Sequence, residues 1–355
     1  MDEGGARVPG GSRYMRPLDD LDRQIIIALQ SDGRASWTSI AALCETSVPT
    51  VARRAQQLMA DNLLKVAVLP SLGSTGPVET FFTRVGCRPG TQLDVAEQLV
   101  ARPDVRWASL ITGSYDIGIE LVVNSGPTRY PKTMLELQQI DGVQRWYSDL
   151  LLHVYKVSHD WYKQLLDDRE ALPPEVPLCS PDHFDKVDWA ILDQLRDDGR
   201  ANFKTIAGAL DLNESTVRRR FERMIGDRCA AVFTIVPAQA LGLEAETLMW
   251  ISVEPSKLNE VAAALVRHPS VRYLGATLDG NSLLCEVISE STRGLFEFTT
   301  ATLAKMAGVV GWNASVELLS LKRGFVETPW WRDQLAEHHA DAVVPIGPGT
   351  AVSGG

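Results

Sequence analysis

Apolar residues recur at helical spacing in three closely set windows near the middle of the chain. Val187, Ile191, Leu192 and Leu195 form the first stripe, which Asp198-Gly199 closes. Asn202 then stands where a cap is needed for a short helix holding Ile206, Ala207 and Leu210. After a tight Asp211-Leu212 connection, Asn213–Ile225 (NESTVRRRFERMI) puts Val217, Phe221, Met224 and Ile225 on one face. Asn213, Ser215 and Thr216 open this third helix, with the Asn213 side chain expected to accept from a free backbone N–H. Arg218, Arg219, Arg220 and Arg223 are expected along its exposed side. Ala230–Val236 (AAVFTIV) follows as a β-rich run suited to a wing. Three short helices and a ribbon, the basic helix third, is the order of a winged helix-turn-helix. There, small residues approach base edges while arginines reach phosphate or guanine. On the third window alone, a solvated arginine-rich face is the simpler account. The elements before it favour the DNA-binding one.

The same pattern occurs earlier. Leu18–Met59 aligns without a gap to text 166 positions later: Asp22 with Asp188, Gly33 with Gly199, Arg34 with Arg200, Thr50 with Thr216, Arg53 with Arg219, Arg54 with Arg220. Here the third helix opens with Ser47 and Thr50 and carries Arg53 and Arg54. The register continues beyond the helices, through Pro103/Pro269, Gly142/Gly308 and Lys156/Lys322. The chain is a tandem duplication of a two-part unit. Trp146/Trp312, Leu152/Leu318 and Val105/Val271 also persist, as packing positions are expected to.

Each second part alternates strand-like and helix-like text. In the first copy a strand (ETFFTRVGC) precedes a helix with Val95, Leu99 and Val100 inward. A hairpin through Gly113-Ser114, a helix (TMLELQQI) and a last strand follow. The order βαββαβ predicts a ferredoxin-like sandwich, repeated from Glu246 to Phe325 with a second helix around LFEFTTATLAKM. The expected fold class is α+β, two winged helix-turn-helix domains alternating with two ferredoxin-like βαββαβ sandwich domains. Their boundaries are read at 18–70, 78–163, 184–237 and 246–328. Residues 1–17 read as a disordered arm, 71–77 and 167–183 as linkers, and 336–355 as a frayed tail.

Composition changes this picture little. At 355 residues and 45% hydrophobic there is material for four small cores. No window is long and apolar enough for a membrane helix, and no secretory signal opens the chain, so a cytoplasmic protein without a membrane partner is expected. Five scattered cysteines read as reduced, mostly buried thiols. Six histidines form no ligand pattern, so neither a metal nor a cofactor is expected. The net charge of −10 argues against a nucleic-acid partner until it is counted locally. Ser47–Met59 and Asn213–Ile225 each carry a net +2, and charges beyond about 8–10 Å are largely screened.

A DGR-containing helix-turn-helix followed by a βαββαβ module resembles the Lrp/AsnC (feast/famine) family of transcriptional regulators. The residues that carry the resemblance lie at Asp19–Ser36 and again at Asp185–Asn202, and it spans nearly the whole chain twice. It implies binding of double-stranded DNA through each third helix, sandwich sheets set back to back, and an amino-acid effector. Family members mostly carry one unit and dimerise, so this chain is similar to a covalent pseudo-dimer from which a homo-oligomer is built. The family's T-G-x-Y/W-D effector turn matches Thr112, Gly113, Ser114, Tyr115 and Asp116. That match implies a ligand carboxylate at the Gly113 backbone and an α-ammonium at Asp116. From the residues alone, a hairpin turn with a self-capping Asp accounts for the same text. In the second copy the aligned residues are Leu278, Asp279, Gly280, Asn281 and Ser282, so effector binding is expected in the first copy only. Sirohaem decarboxylases, which resemble this family, are the enzyme alternative. Their His-Asn-Tyr-x-Arg run corresponds to Val105-Arg106-Trp107-Ala108-Ser109 and Val271-Arg272-Tyr273-Leu274-Gly275, neither of which offers a histidine. No enzyme activity is expected.

Overall fold

The computed structural model describes residues 18–71, 78–124, 126, 128–158, 161–162, 183–280, 283–333 and 335. The expected arm, the tail and nearly all of both linkers lie outside the described residues. Three helices form the first head: α1 (Asp20–Ser31), α2 (Trp37–Leu43) and α3 (Val48–Ala60). Asp19 starts α1 by accepting from the Asp22 N–H at 2.9 Å. Ile25, Ile26 and Leu29 then pack with Ile40, Val51 and Leu58 into a buried core. The second head repeats this with α6 (Lys186–Asp197), α7 (Phe203–Leu210) and α8 (Glu214–Gly226). Its core holds Ile191, Leu192, Leu195, Ile206, Val217 and Met224. Asn202 caps α7 as expected, accepting from the Lys204 N–H at 2.9 Å. Asn213 occupies the cap position of α8, but its side chain makes no capping bond, against expectation.

The wings are not separate hairpins. β1 (Lys65–Pro70) pairs antiparallel with β6 (Ala230–Ile235) of the other copy, Lys65 opposite Ile235 and Pro70 opposite Ala230. One shared ribbon therefore serves both heads, and its Val68 sits in the second head's core. The two DGR turns lock onto this ribbon. The Gly199 N–H donates to the Val66 carbonyl at 2.8 Å, and a Cβ at Gly199 would meet the Ala67 nitrogen at 2.7 Å. Arg34 donates to the Gly199 carbonyl and, at 3.1 Å, to that of Ala201. Arg200 returns the arrangement, reaching the Gly33 carbonyl at 2.6 Å and that of Ala35 at 2.9 Å. The Arg200 guanidinium also lies over the Trp37 ring, as that of Arg34 does over Phe203.

The first sandwich module runs β2 (Val78–Cys87), α4 (Gln92–Ala101), β3 (Val105–Ile111), β4 (Ile117–Asn124), α5 (Arg129–Gln138) and β5 (Val143–Val157). The second runs β7 (Ala245–Val253), α9 (Leu258–Arg267), β8 (Val271–Thr277), β9 (Leu283–Ser289), α10 (Thr292–Glu297) and β10 (Val309–Arg323), with a short β11 (Val326–Glu327) after it. The sequence predicts one uniform second helix in the second copy, but α10 gives way to a wider π turn and then a tighter 3₁₀ turn.

The two sheets do more than stack. Strand order is β11-β10-β3-β4-β2-β5-β8-β9-β7, and β10 also pairs with β7, so eight strands close into a ring. The reason lies in strand length. β5 and β10 have 15 residues each, more than their own sheets use. The overhang of β5 pairs with β8 (Leu151 opposite Thr277), and that of β10 with β3 (Glu317 opposite Ile111). Closure satisfies edges that would otherwise be open. Lys156 at the end of β5 donates to the His268 carbonyl behind α9, and Lys322 on β10 donates to the Val100 and Arg102 carbonyls behind α4. Each copy thus caps a helix of the other.

Three further expectations need correction. Val105 and Val271 are fully buried, but Leu152 and Leu318 are 56% and 59% exposed, and Trp312 is also exposed. These residues sit on strand faces that point away from the ring's interior and are not core positions. Cys229 is disulfide-bonded, so the thiols are not all reduced. Cys44, Cys87 and Cys285 are free.

Candidate nucleic-acid interface and effector turn

The third helices present less free charge than their sequences advertise. In α3, Ser47 is the N-cap, accepting from the Thr50 N–H at 3.3 Å, and the two hydroxyls lie 2.8 Å apart. Arg53 is exposed and has no carboxylate partner among the described residues. Arg54 is different. It reaches Asp19 at 2.8 Å and the fully buried Asp22 at 3.3 Å, tying α3 to the start of α1.

The same division holds in α8. Arg219, the repeat partner of Arg53, is exposed and likewise without a carboxylate partner among the described residues. Arg220 bonds Asp185 at 2.8 Å and the buried Asp188 at 2.9 Å, and Arg223 takes the other Asp188 oxygen at 2.6 Å. A fully exposed row of four arginines is therefore corrected: two of them neutralise a buried carboxylate, which would otherwise be stranded. The backbone N–H of Asp188 and the Arg220 side chain hold the Asp185 carboxyl below its ordinary value. Arg218 lies between these cases. It pairs with Glu214 at 2.9 Å one turn away, but both side chains are about half exposed, so the pair is weak and can yield to a phosphate. Asn213 and Ser215 are exposed and Thr216 partly so, at the open end of α8.

Asp22 and Asp188 were legible only as part of the repeated text. Their pairing with Arg54 and Arg220 was missed, although a matching acid and arginine kept at one offset was a usable signal. Arg34 and Arg200 were also missed as the clasp between the heads.

The expected effector turn is assembled from several strands. Gly113 has φ +104°, and Ser315 Oγ lies 3.4 Å from where its Cβ would be. Thr112 exchanges bonds with Val316 of the other copy, its N–H donating at 2.9 Å and its Oγ1 accepting at 2.8 Å. Arg145 donates to the Ser114 carbonyl and lies over the Tyr115 ring. Asp116 Oδ2 accepts from the Cys87 N–H at 2.7 Å, so this carboxylate caps a neighbouring strand instead of its own turn. Burial and then the Asp116 charge push the Cys87 thiol up to about 12, leaving it inert.

The second copy's turn has Asp279 where the first has Gly113. Asp279 accepts from Thr277 Oγ1 at 3.3 Å and from the Tyr147 hydroxyl at 3.4 Å. Asn281 and Ser282 of that turn lie outside the described residues. At the decarboxylase-like positions, Arg106 is bonded to Glu120 at 2.9 Å and Arg272 to Glu286 at 2.6 Å, so both act first as ion-pair partners.

An AsnC-type helix-turn-helix domain matches residues 18–59 and again 184–225. A helix-turn-helix-type transcriptional regulator of Pyrococcus horikoshii is 29% identical over 150 residues, covering 42% of this chain and 94% of that protein. One of Pyrococcus furiosus is 34% identical over 142 residues, 39% of this chain and 95% of that protein. Each relative thus corresponds to about one repeat unit. Among solved structures, the sirohaem decarboxylase NirDL is similar over 90% of this chain and 100% of its own, with a TM-score of 0.59 at 10% identity, a likeness of fold. Taken together, the doubled domain and its relatives define a DNA-binding transcriptional regulator. The chain belongs to the Lrp/AsnC family, in a tandem-duplicated form.

Proposed function

We propose that the chain binds specific double-stranded DNA with both heads at once and that a small effector adjusts that binding. The observation that carries this reading is the pair Arg53 and Arg219. Each lies exposed on a third helix, beside small polar residues at the helix start, while the neighbouring arginines are held in ion pairs. No described helix is long and apolar enough to cross a membrane, in keeping with a regulator acting at cytoplasmic DNA. The exposed Leu152, Leu318 and Trp312 on the two long strands support self-association of whole chains. No histidine stands at the decarboxylase positions, which supports a regulator without enzyme activity.

An amino-acid effector would meet the exposed backbone of Gly113 and Ser114 with its carboxylate, and the second oxygen of Asp116 with its ammonium. Calorimetry across the amino acids, on wild type and Asp116→Ala, tests this site. Binding unchanged by the substitution, or two equivalent sites per chain, would remove the turn from the reading. The DNA reading is tested by incubating the chain with sheared genomic DNA and sequencing what it retains. Enrichment of a shared motif is expected, and retention without any motif would overturn sequence specificity.

A further inference from the structure

Between the two sheets and the shared ribbon lies a cavity of about 130 Å³. It sits across the repeat: Phe82 and Leu248, Arg106 and Arg272, Trp107 and Tyr273 face it in pairs 166 positions apart. The polar wall is unbalanced in one respect. Arg106 spends Nε and Nη2 on Glu120, and Arg272 spends Nε and Nη2 on Glu286 and Glu246. The two glutamates that line the cavity are thereby engaged: Glu120 accepts three bonds from Arg106, and Glu286 accepts two from Arg272 and one from Arg323. The hydrogen bonds of Arg106 and Arg272 to described residues all leave from Nε and Nη2, so each Nη1 makes none there, and Arg272 is only 6% exposed. Ser158, 9% exposed, lines the same space with an unpartnered Oγ, and the Tyr273 hydroxyl is unpartnered too. The hydroxyls can donate or accept, but the two Nη1 groups can only donate, so a group that accepts completes the wall best.

We propose that this cavity is an effector site for a small aromatic carboxylate, its two oxygens taken by Arg106 and Arg272. Two guanidiniums related by the repeat suit a head with two equivalent oxygens, and charge-assisted bonds of this kind are the strong ones. The body of the ligand meets aromatic and leucine side chains. The volume is close to the roughly 150 Å³ in which an apolar protein cavity holds a benzene ring, so one ring is the size that fits. A metal ion is a poorer occupant. The Glu246, Glu286 and Glu317 carboxylates do lie within 4.8 Å of one another, but Arg272 and Arg323 already bridge them.

Regulation through this cavity rests on the DNA-binding reading above; the binding itself does not. Leu69 and Phe233 of the shared ribbon form part of the wall, so the ligand touches the element that joins both heads. Calorimetry on the full chain uses phenylacetate, benzoate and 3-phenylpropionate as probes, with 2-phenylethylamine as the opposite charge. One saturable site per chain is expected for at least one acid and none for the amine. Tyr273→Phe is expected to weaken the acid about fivefold, the loss of one hydrogen bond. Leu248→Trp fills the space and is expected to abolish binding, with thermal unfolding checked to show the fold intact. Failure of all three acids, equal binding of the amine, or acid binding that survives Leu248→Trp in a folded chain would each overturn the proposal. DNA retention is measured separately without ligand. If it fails while an acid binds, the regulator reading falls and the cavity assignment stands.

Discussion

Arg53 and Arg219 hold the same place in their heads, and the residues next to them in sequence do a different job. Arg53→Ala and Arg219→Ala are each expected to weaken DNA binding and lower the salt slope by about 0.9. Stability should stay within about 0.5 kcal/mol of wild type, since neither side chain holds a buried group. Arg220→Ala with Arg223→Ala removes both arginines from the buried Asp188. That double variant is expected to lose about 3–5 kcal/mol in denaturant titrations. A fully stable double variant would show that Asp188 does not depend on them. Another residue predicts a pH effect. Asp149 is buried beside Arg84, Tyr147 and Asp279, and burial first, then the Asp279 charge, push its carboxyl up to about 6. Its folded value exceeds the unfolded one, so the folded chain binds this proton more tightly. The stabilisation is complete below the unfolded value and is lost as pH rises through the folded one. Asp149→Asn is expected to flatten melting temperature against pH between about pH 4 and pH 7. An unchanged slope would place the titration elsewhere.

At the scale of elements, two glycines separate close approach from helix propensity. Gly199 touches the backbone of the ribbon, whereas a Cβ at Gly208, inside α7, meets nothing within 4 Å. Gly208→Ala is expected to stabilise by about 0.5–1 kcal/mol and Gly199→Ala to destabilise, both read from unfolding midpoints. The same contrast explains what sequence could reveal. Helices were legible because their stripes and caps are local: Asn202 does what its position suggests, and Ile191 and Leu195 are buried where the period puts them. The strand order within each module was legible from its alternation with helices. Pairings between copies were not. Nothing in AAVFTIV says that its partner is Lys65–Pro70, and nothing in β5 says where its overhang ends. For the same reason the charged text of α8 looked free, because the carboxylate that holds Arg220 and Arg223 is on another helix. The turn at Gly113–Asp116 is a turn as its text suggests, but the N–H that binds Asp116 is that of Cys87 on β2, a strand earlier in the chain.

At the scale of the molecule, two unlike heads share one ribbon. Ser47-Val48-Pro49-Thr50 opens one third helix and Asn213-Glu214-Ser215-Thr216 the other, so the two half-sites are expected to differ. A nuclease footprint should show two protected half-sites of unlike sequence in fixed order. A perfect palindrome would count against distinct reading by the heads.

The ribbon and the double clasp of Arg34 and Arg200 also bear on inheritance. In a regulator built from separate chains, a damaged copy trades partners with sound ones and spoils them. Here the two halves of a pair are one chain, so a defective head stays with the neighbour it was made with. Co-expressing wild type with an Arg219→Ala chain should yield two kinds of head pair, not the binomial mixture of an exchanging dimer, when pairs are sorted by mass. A faulty allele would then subtract its own share of activity and leave the other allele's pairs intact.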